Sequence, residues 1–238
     1  MQAFRELDRV LRGEARFGDP GVVIPLWPLL RVNVLLAATY GVCMGVYGLL
    51  GPEGTEWRQM AAGAVKVPAL FLLTLLVTFP SLYVFNTLLG PRLRLGVFLR
   101  LGVTALSVLT AVLSAFGPIT AFFSVTTANY AFVVLLNVAV FALAGAFGLG
   151  CLRNLLTDLA RPRPAADGSV AREPERSGRT FGVIYAWMVV FALVGGQMAW
   201  LLRPFIGSPD LPFAWLRPRD GSFFQGVTRA LTSLLGVG

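Results

Sequence analysis

A row of hydroxyl side chains in the middle of the sequence has a spacing that could support ion conduction. It consists of Arg100, Thr104, Ser107, Thr110 and Ser114. At about 100° of rotation per residue, these positions of one helix fall within a sector of roughly 120°. A hydroxyl face headed by a cation would favour a water-filled path for anions. The alternative is structural, with each hydroxyl bonding a carbonyl of its own helix and packing against a neighbouring helix.

Side chains that usually perform catalysis or hold metals are scarce in this chain. The sequence has no histidine, which removes the commonest general base and the commonest metal ligand. It contains no GxSxG, GxxxxGK[ST] or CxxC motif, and no Asp or Glu lies inside the predicted membrane spans. We therefore predict a non-enzymatic protein with no catalytic residue, cofactor or metal site. A lipid-modifying activity that uses Arg and backbone groups is the enzymatic alternative.

Small residues recur at helical spacing in two apolar stretches. The first stretch contains Gly41 and Gly45 in a GxxxG pattern, and the second contains Ala139, Ala142, Ala146 and Gly150. Such ridges allow another helix to approach closely inside a membrane. They predict helix-packing contacts, either within one bundle or between copies of the chain.

The N-terminal segment combines an apolar side with a basic side. Arg5, Arg9, Arg12 and Arg16 fall within about 60° of each other on a helix. Such a helix is typical of a segment lying in the headgroup layer with its arginines on lipid phosphates. An ordinary cytoplasmic helix packed on the bundle is the alternative interpretation.

Long stretches without charge predict the elements that position these residues. The stretches between Arg31 and Glu53, Lys66 and Arg92, Arg100 and Arg153, and Arg179 and Arg203 hold 21, 25, 52 and 23 uncharged residues. A membrane-spanning helix needs about 20 apolar residues. The longest stretch therefore suits two helices, with a turn at Gly117-Pro118 and the polar residues that follow. The predicted spans are 29–50, 67–89, 99–116, 130–151 and 181–202.

The distribution of basic residues predicts the orientation. Of the 20 basic residues, 14 fall on the side of the N-terminus and six on the opposite side. Since Lys and Arg near helix ends stay cytoplasmic, we predict an inside N-terminus and an outside C-terminus. We expect the location to be a bacterial cytoplasmic (inner) membrane.

Together these features predict an all-α, polytopic transmembrane helix bundle in three parts. Residues 1–20 form a cytoplasmic amphipathic segment, 21–202 the five-span bundle with a cytoplasmic linker at 153–179, and 203–238 an outer interfacial tail with a short helix. The basic charge points to anionic lipids on the cytoplasmic side, and we expect no nucleic-acid partner.

The functional prediction is a self-associating membrane subunit that is channel-like or forms complexes. Its expected partners are further copies of itself or other membrane proteins. Two alternatives stay open: a scaffold or accessory subunit of a larger membrane complex, and a solute or lipid transporter. The transporter is disfavoured because carboxylates are missing from the predicted spans and no inverted repeat is visible.

Overall fold

The computed structural model describes residues 2–13, 25–50, 56–89, 95–127, 129–160, 175–207, 213–216 and 221–235. Within these ranges the chain is helical and has no strand, so the prediction of an all-α fold is confirmed for this part of the chain. The helices are α1 (Gln2–Leu11), α2 (Leu26–Gly45), α3 (Glu56–Leu89), α4 (Leu95–Thr126), α5 (Tyr130–Ala160), α6 (Glu175–Leu202) and α7 (Phe223–Leu235), and a 3-10 helix, Val46–Leu50, extends α2.

Four helical stretches are long and apolar enough to cross a membrane. They are Leu26–Gly48, Trp57–Ser81, Leu99–Thr126 and Tyr130–Leu155. In α6, the apolar stretch found among the residues with described side chains is Ala186–Leu202, which is shorter than these four. The length and composition of these four helices are compatible with a membrane protein, and α6 as a fifth span stays a prediction.

The predicted turn begins too early, because α4 continues through Gly117 and Pro118 to Thr126. Proline is tolerated inside helices surrounded by apolar groups, since neighbouring hydroxyls and local adjustments satisfy the freed backbone groups. The break between α4 and α5 lies at the end of the predicted polar run, between Thr126 and Tyr130. There the Asn129 side-chain oxygen accepts a hydrogen bond from the Phe132 amide at 3.1 Å, which caps the start of α5.

The predicted linker is shorter than the sequence indicated. Helix α5 continues to Ala160, and α6 begins at Glu175, so both helices take residues from the range 153–179. Thr157, inside the predicted linker, bonds the Arg153 carbonyl at 2.9 Å, as a helix hydroxyl does. The rest of the predicted linker, 161–174, lies outside the described residues.

Helix α2 lies at the centre of the bundle, packed between α3 and α4. Helix α5 packs on α4, and α6 packs on α3. Of the first and last described helices, α1 contacts α2 and α4, and α7 contacts α5 and α6. The core joins these helices through buried apolar side chains, including Leu29, Tyr40, Val67, Leu113 and Val133.

Candidate functional site

The hydroxyl row on α4 is enclosed by protein. Thr104, Ser107 and Thr110 are buried, whereas Arg100 and Ser114 are partly exposed. Each buried hydroxyl donates a hydrogen bond to the carbonyl four residues earlier in α4, at 2.7, 2.9 and 2.9 Å respectively. This is the structural alternative that the sequence left open: the hydroxyls are satisfied by their own helix.

An amide on α2 completes this buried polar region. Asn33 donates to the Val103 carbonyl at 3.2 Å, and its side-chain oxygen faces the Thr110 hydroxyl at 3.4 Å. It therefore connects α2 to α4 across the centre of the bundle. The crevice lined by Asn33, Thr110 and their apolar neighbours has a volume of about 10 Å³. That volume accommodates about one water molecule.

A second buried polar cluster connects three helices closer to the 127–129 turn. The Tyr40 hydroxyl of α2 donates to the Asn137 side-chain oxygen of α5 at 2.8 Å, and the Asn137 amide donates to the Val133 carbonyl at 2.8 Å. The Thr120 hydroxyl of α4 lies beside Tyr40. Among the described residues, the buried hydroxyl of Ser124 has no hydrogen-bond partner.

The sequence analysis missed Thr120 and assigned Ser124 to the turn, because it ended this helix at residue 116. Their spacing was the available signal. Thr120 and Ser124 are four residues apart, so they share one side of α4. Thr120 lies about 120° around the helix from Ser114, so the hydroxyls of Thr120 and Ser124 form a polar side separate from the row that ends at Ser114.

The small-residue ridge of α5 faces away from the rest of the described chain. Ala139, Ala142, Ala146 and Gly150 are all exposed, and a Cβ atom built at Gly150 would have no atom within 4 Å. The opposite side of α5 is packed. There, a Cβ at Gly148 would lie 3.1 Å from the Ala105 carbonyl oxygen of α4. Helix α5 therefore has one closed face and one open face.

The ridge of α2 is used inside the chain. A Cβ atom at Gly41 would collide with the Gly63 carbonyl of α3, and one at Gly45 would lie 2.7 Å from the Met60 Cα. The backbones of α2 and α3 thus touch where side chains are absent. Gly63 was missed by the sequence analysis, since a single glycine without a partner at helical spacing gives no ridge pattern.

The arginines of α1 differ in their surroundings. Arg5 is exposed, Arg9 pairs with Glu6 at 3.4 Å, and Arg12 pairs with Asp8 at 2.9 Å. Arg16 lies outside the described residues. The opposite side of α1 buries Leu7 and Val10, so the helix is docked on the bundle. Contact of these arginines with lipid phosphates stays a prediction.

A polar clamp holds the chain segment that follows α6. Lys66 is only 3% exposed, and its Nζ donates to the Pro204 carbonyl at 2.8 Å. Gln59 donates to the Phe205 carbonyl at 2.7 Å. The sequence analysis used Lys66 as the boundary of a span beginning at 67, whereas it lies inside the apolar stretch Trp57–Ser81. Burial of Phe205 and Ile206 shows that the segment forms part of the core.

No group of three or more His, Cys, Asp or Glu side chains that could hold a metal occurs in the described part of the chain. Cys43 and Cys151 are free, partly buried thiols on different helices. No family model matches the sequence, and neither the curated proteins nor the solved structures include a match. The functional argument therefore rests on the chain's own residues.

Proposed function

We propose that this protein is a non-enzymatic membrane subunit that works by associating with other membrane proteins inside the bilayer. The expected partner is a second copy of the same chain, held through the open face of α5. The observation that carries the proposal is the exposure of Ala139, Ala142, Ala146 and Gly150 on one side of α5, opposite the buried Val140, Ala144 and Gly148.

Close backbone approach is the physical reason why such a face supports association. Lipid chains are as apolar as leucine side chains, so helices in a bilayer gain little from burying apolar surface against each other. They gain instead from van der Waals contact and weak hydrogen bonds at short interhelical distance, which small residues permit. The Gly41 contact with Gly63 is an example within this chain. The α5 face also carries small residues, beside the exposed Leu143 and Phe147, and has no partner helix among the described residues.

Conduction along α4 is not part of the proposal. The buried hydroxyls of Thr104, Ser107 and Thr110 already bond their own helix, and α2 covers them. A lumen there would require α2 to move away and would break the Asn33 bond to Val103. The polar row is better explained as packing between α2 and α4.

The proposed setting is a bacterial cytoplasmic membrane, with α6 as a fifth span. Five spans place the two termini on opposite sides. The side carrying α1 has 14 of the 20 basic residues, so it would face the cytoplasm. An accessory subunit of a larger complex would use the same α5 face for a different membrane protein, and that is the alternative function.

The test is the oligomeric state of the purified chain in lipid nanodiscs and bilayers. We expect wild-type protein to form a defined oligomer, and Ala142→Leu/Ala146→Leu to dissociate it by filling the face. Ala115→Leu, the same Ala-to-Leu replacement at a single exposed position of α4, is the control and should leave the oligomer intact. A monomer that co-purifies with another membrane protein, and loses it in the α5 variant, would support the alternative. A monomer without a partner, or an unchanged oligomer in the α5 variant, would contradict both.

A further inference from the structure

The N-terminal helix α1 presents three distinct faces. Leu7 and Val10, on one face, are buried against the bundle. Going around the helix at about 100° per residue, the next face carries Phe4 and Leu11, which are 52% and 50% exposed. Beyond them lies the basic face, with the exposed side chains of Arg5, Arg9 and Arg12. The helix is therefore docked on one side while keeping both apolar and basic groups outside.

Two residues near the start of α2 mark the level of a membrane surface. Trp27 and Arg31 lie one turn apart on the same side of α2, and both are exposed. Trp27, at 74% exposed, stands next to the first residue of the apolar stretch Leu26–Gly48. Tryptophan and arginine at the end of a spanning helix are typical of the headgroup layer. Helix α1 precedes α2 in the chain and packs against α2 and α4, and we infer that it does so at this end, so that its exposed faces meet the same layer.

We propose that α1 forms a binding surface for anionic phospholipid. Phe4 and Leu11 enter the boundary of the acyl chains, and the arginines reach the phosphates beside them. Docking through Leu7 and Val10 removes the entropic cost that a free helix would meet on ordering. This surface is separate from the α5 face, so it stands whether or not the chain self-associates.

The ion pairs on α1 are compatible with this role. Arg9–Glu6 and Arg12–Asp8 are pairs on the surface of the helix, with side chains of both arginines about two-thirds exposed. Exposed pairs of this kind are weak. A phosphate brings two or more acceptor oxygens and binds guanidinium groups in bidentate geometry. Neither of these two ion pairs involves Arg5, so its guanidinium group can bind a phosphate directly.

Lipid titration by native mass spectrometry would test the surface, with phosphatidylglycerol and phosphatidylcholine as probes. In Arg5→Gln/Arg9→Gln we expect the Kd for phosphatidylglycerol to rise roughly tenfold, because each basic residue near an anionic surface contributes a several-fold factor. Binding of phosphatidylcholine should be unchanged. Arg58→Gln/Arg229→Gln removes the same charge from exposed positions at the other end and should change the phosphatidylglycerol Kd less than twofold. An equal rise of the phosphatidylglycerol Kd in both variants, or no rise in either, would overturn the proposal.

A spin label would test the apolar face independently of charge. Phe4→Cys in a Cys43→Ala/Cys151→Ala background, labelled with a nitroxide and reconstituted in phosphatidylglycerol-containing bilayers, should be more accessible to oxygen than to a water-soluble nickel complex. The reverse order would show that this face is in water and would overturn the lipid assignment.

Discussion

The backbone of Gly41 lies so close to the backbone of Gly63 that a single methyl group on either residue would collide with the other's carbonyl. This contact brings α2 and α3 together near the middle of the bundle. It is the closest described approach between helices at the glycines of this chain. Because a packed interior has low compressibility, an added methyl group would force the two helices apart.

Replacing Gly41 by alanine should therefore destabilise the protein. We expect a loss of about 1–3 kcal/mol in the free energy of unfolding, which is typical of overpacking. The measurement is unfolding in mixed detergent micelles. Gly145→Ala is the matched control, since a Cβ there has no atom within 4 Å. It should be neutral or stabilising by up to about 1 kcal/mol. Equal effects at the two positions would show that the Gly41 contact is not tight.

Coupling between Tyr40 and Asn137 should be measurable in a double-mutant cycle. Their hydrogen bond connects α2 to α5 at 2.8 Å. Hydrogen bonds between membrane helices contribute about 0.6 kcal/mol on average and up to about 1.7. For Tyr40→Phe, Asn137→Leu and the double variant, we expect a coupling energy within this range. Strict additivity would mean that the bond does not contribute to stability.

The clamp on the segment after α6 should depend on Lys66. Lys66→Met keeps the length of the side chain but removes its hydrogen bond to Pro204. We expect faster hydrogen exchange at residues 205–207, because a bond from a charged donor contributes about 1.5–3 kcal/mol. Arg58→Gln changes an exposed cation on the same helix and should leave exchange unaltered. If hydrogen exchange at residues 205–207 is unchanged in Lys66→Met, apolar packing alone holds this segment in place.

The hydroxyl row gives a prediction about conductance. Thr104→Val and Ser107→Ala remove two hydroxyls that bond their own helix, with little change in volume. Because these groups pack against α2, we expect planar-bilayer recordings of the wild type and of both variants to show the same ion flux. A selective conductance in the wild type that either variant reduces would restore the pore hypothesis.

Long uncharged stretches were the sequence signal that predicted helices correctly, because a helix surrounded by lipid excludes charge over a fixed length. It located helical segments that the structure contains. The same rule failed at Lys66, where a charged group is accommodated inside an apolar stretch by the carbonyl of Pro204. That carbonyl is more than 130 residues away in the chain, and no local pattern connects the two residues.

Local signals also misplaced the end of α4. In a water-soluble protein, Pro118 would predict the end of a helix. In an apolar environment the helix continues past proline, because ending it there would leave backbone groups without hydrogen bonds. The sequence also could not show which of the two small-residue ridges, that of α2 or that of α5, packs against another helix of the chain. Gly41 and Ala142 both have small neighbours at helical spacing, yet Gly41 meets α3 and Ala142 faces outward. Tertiary placement alone distinguishes them.

The most direct test of the proposed association is a cysteine scan along α5. Each residue from 139 to 150 is replaced in turn by cysteine in a Cys43→Ala/Cys151→Ala background, and disulfide formation between copies is measured in native membranes. We predict crosslinking that peaks at 139, 142, 146 and 150 and is lowest at the buried positions 140, 144 and 148. No crosslinking anywhere on the helix, or peaks without this period, would contradict the account.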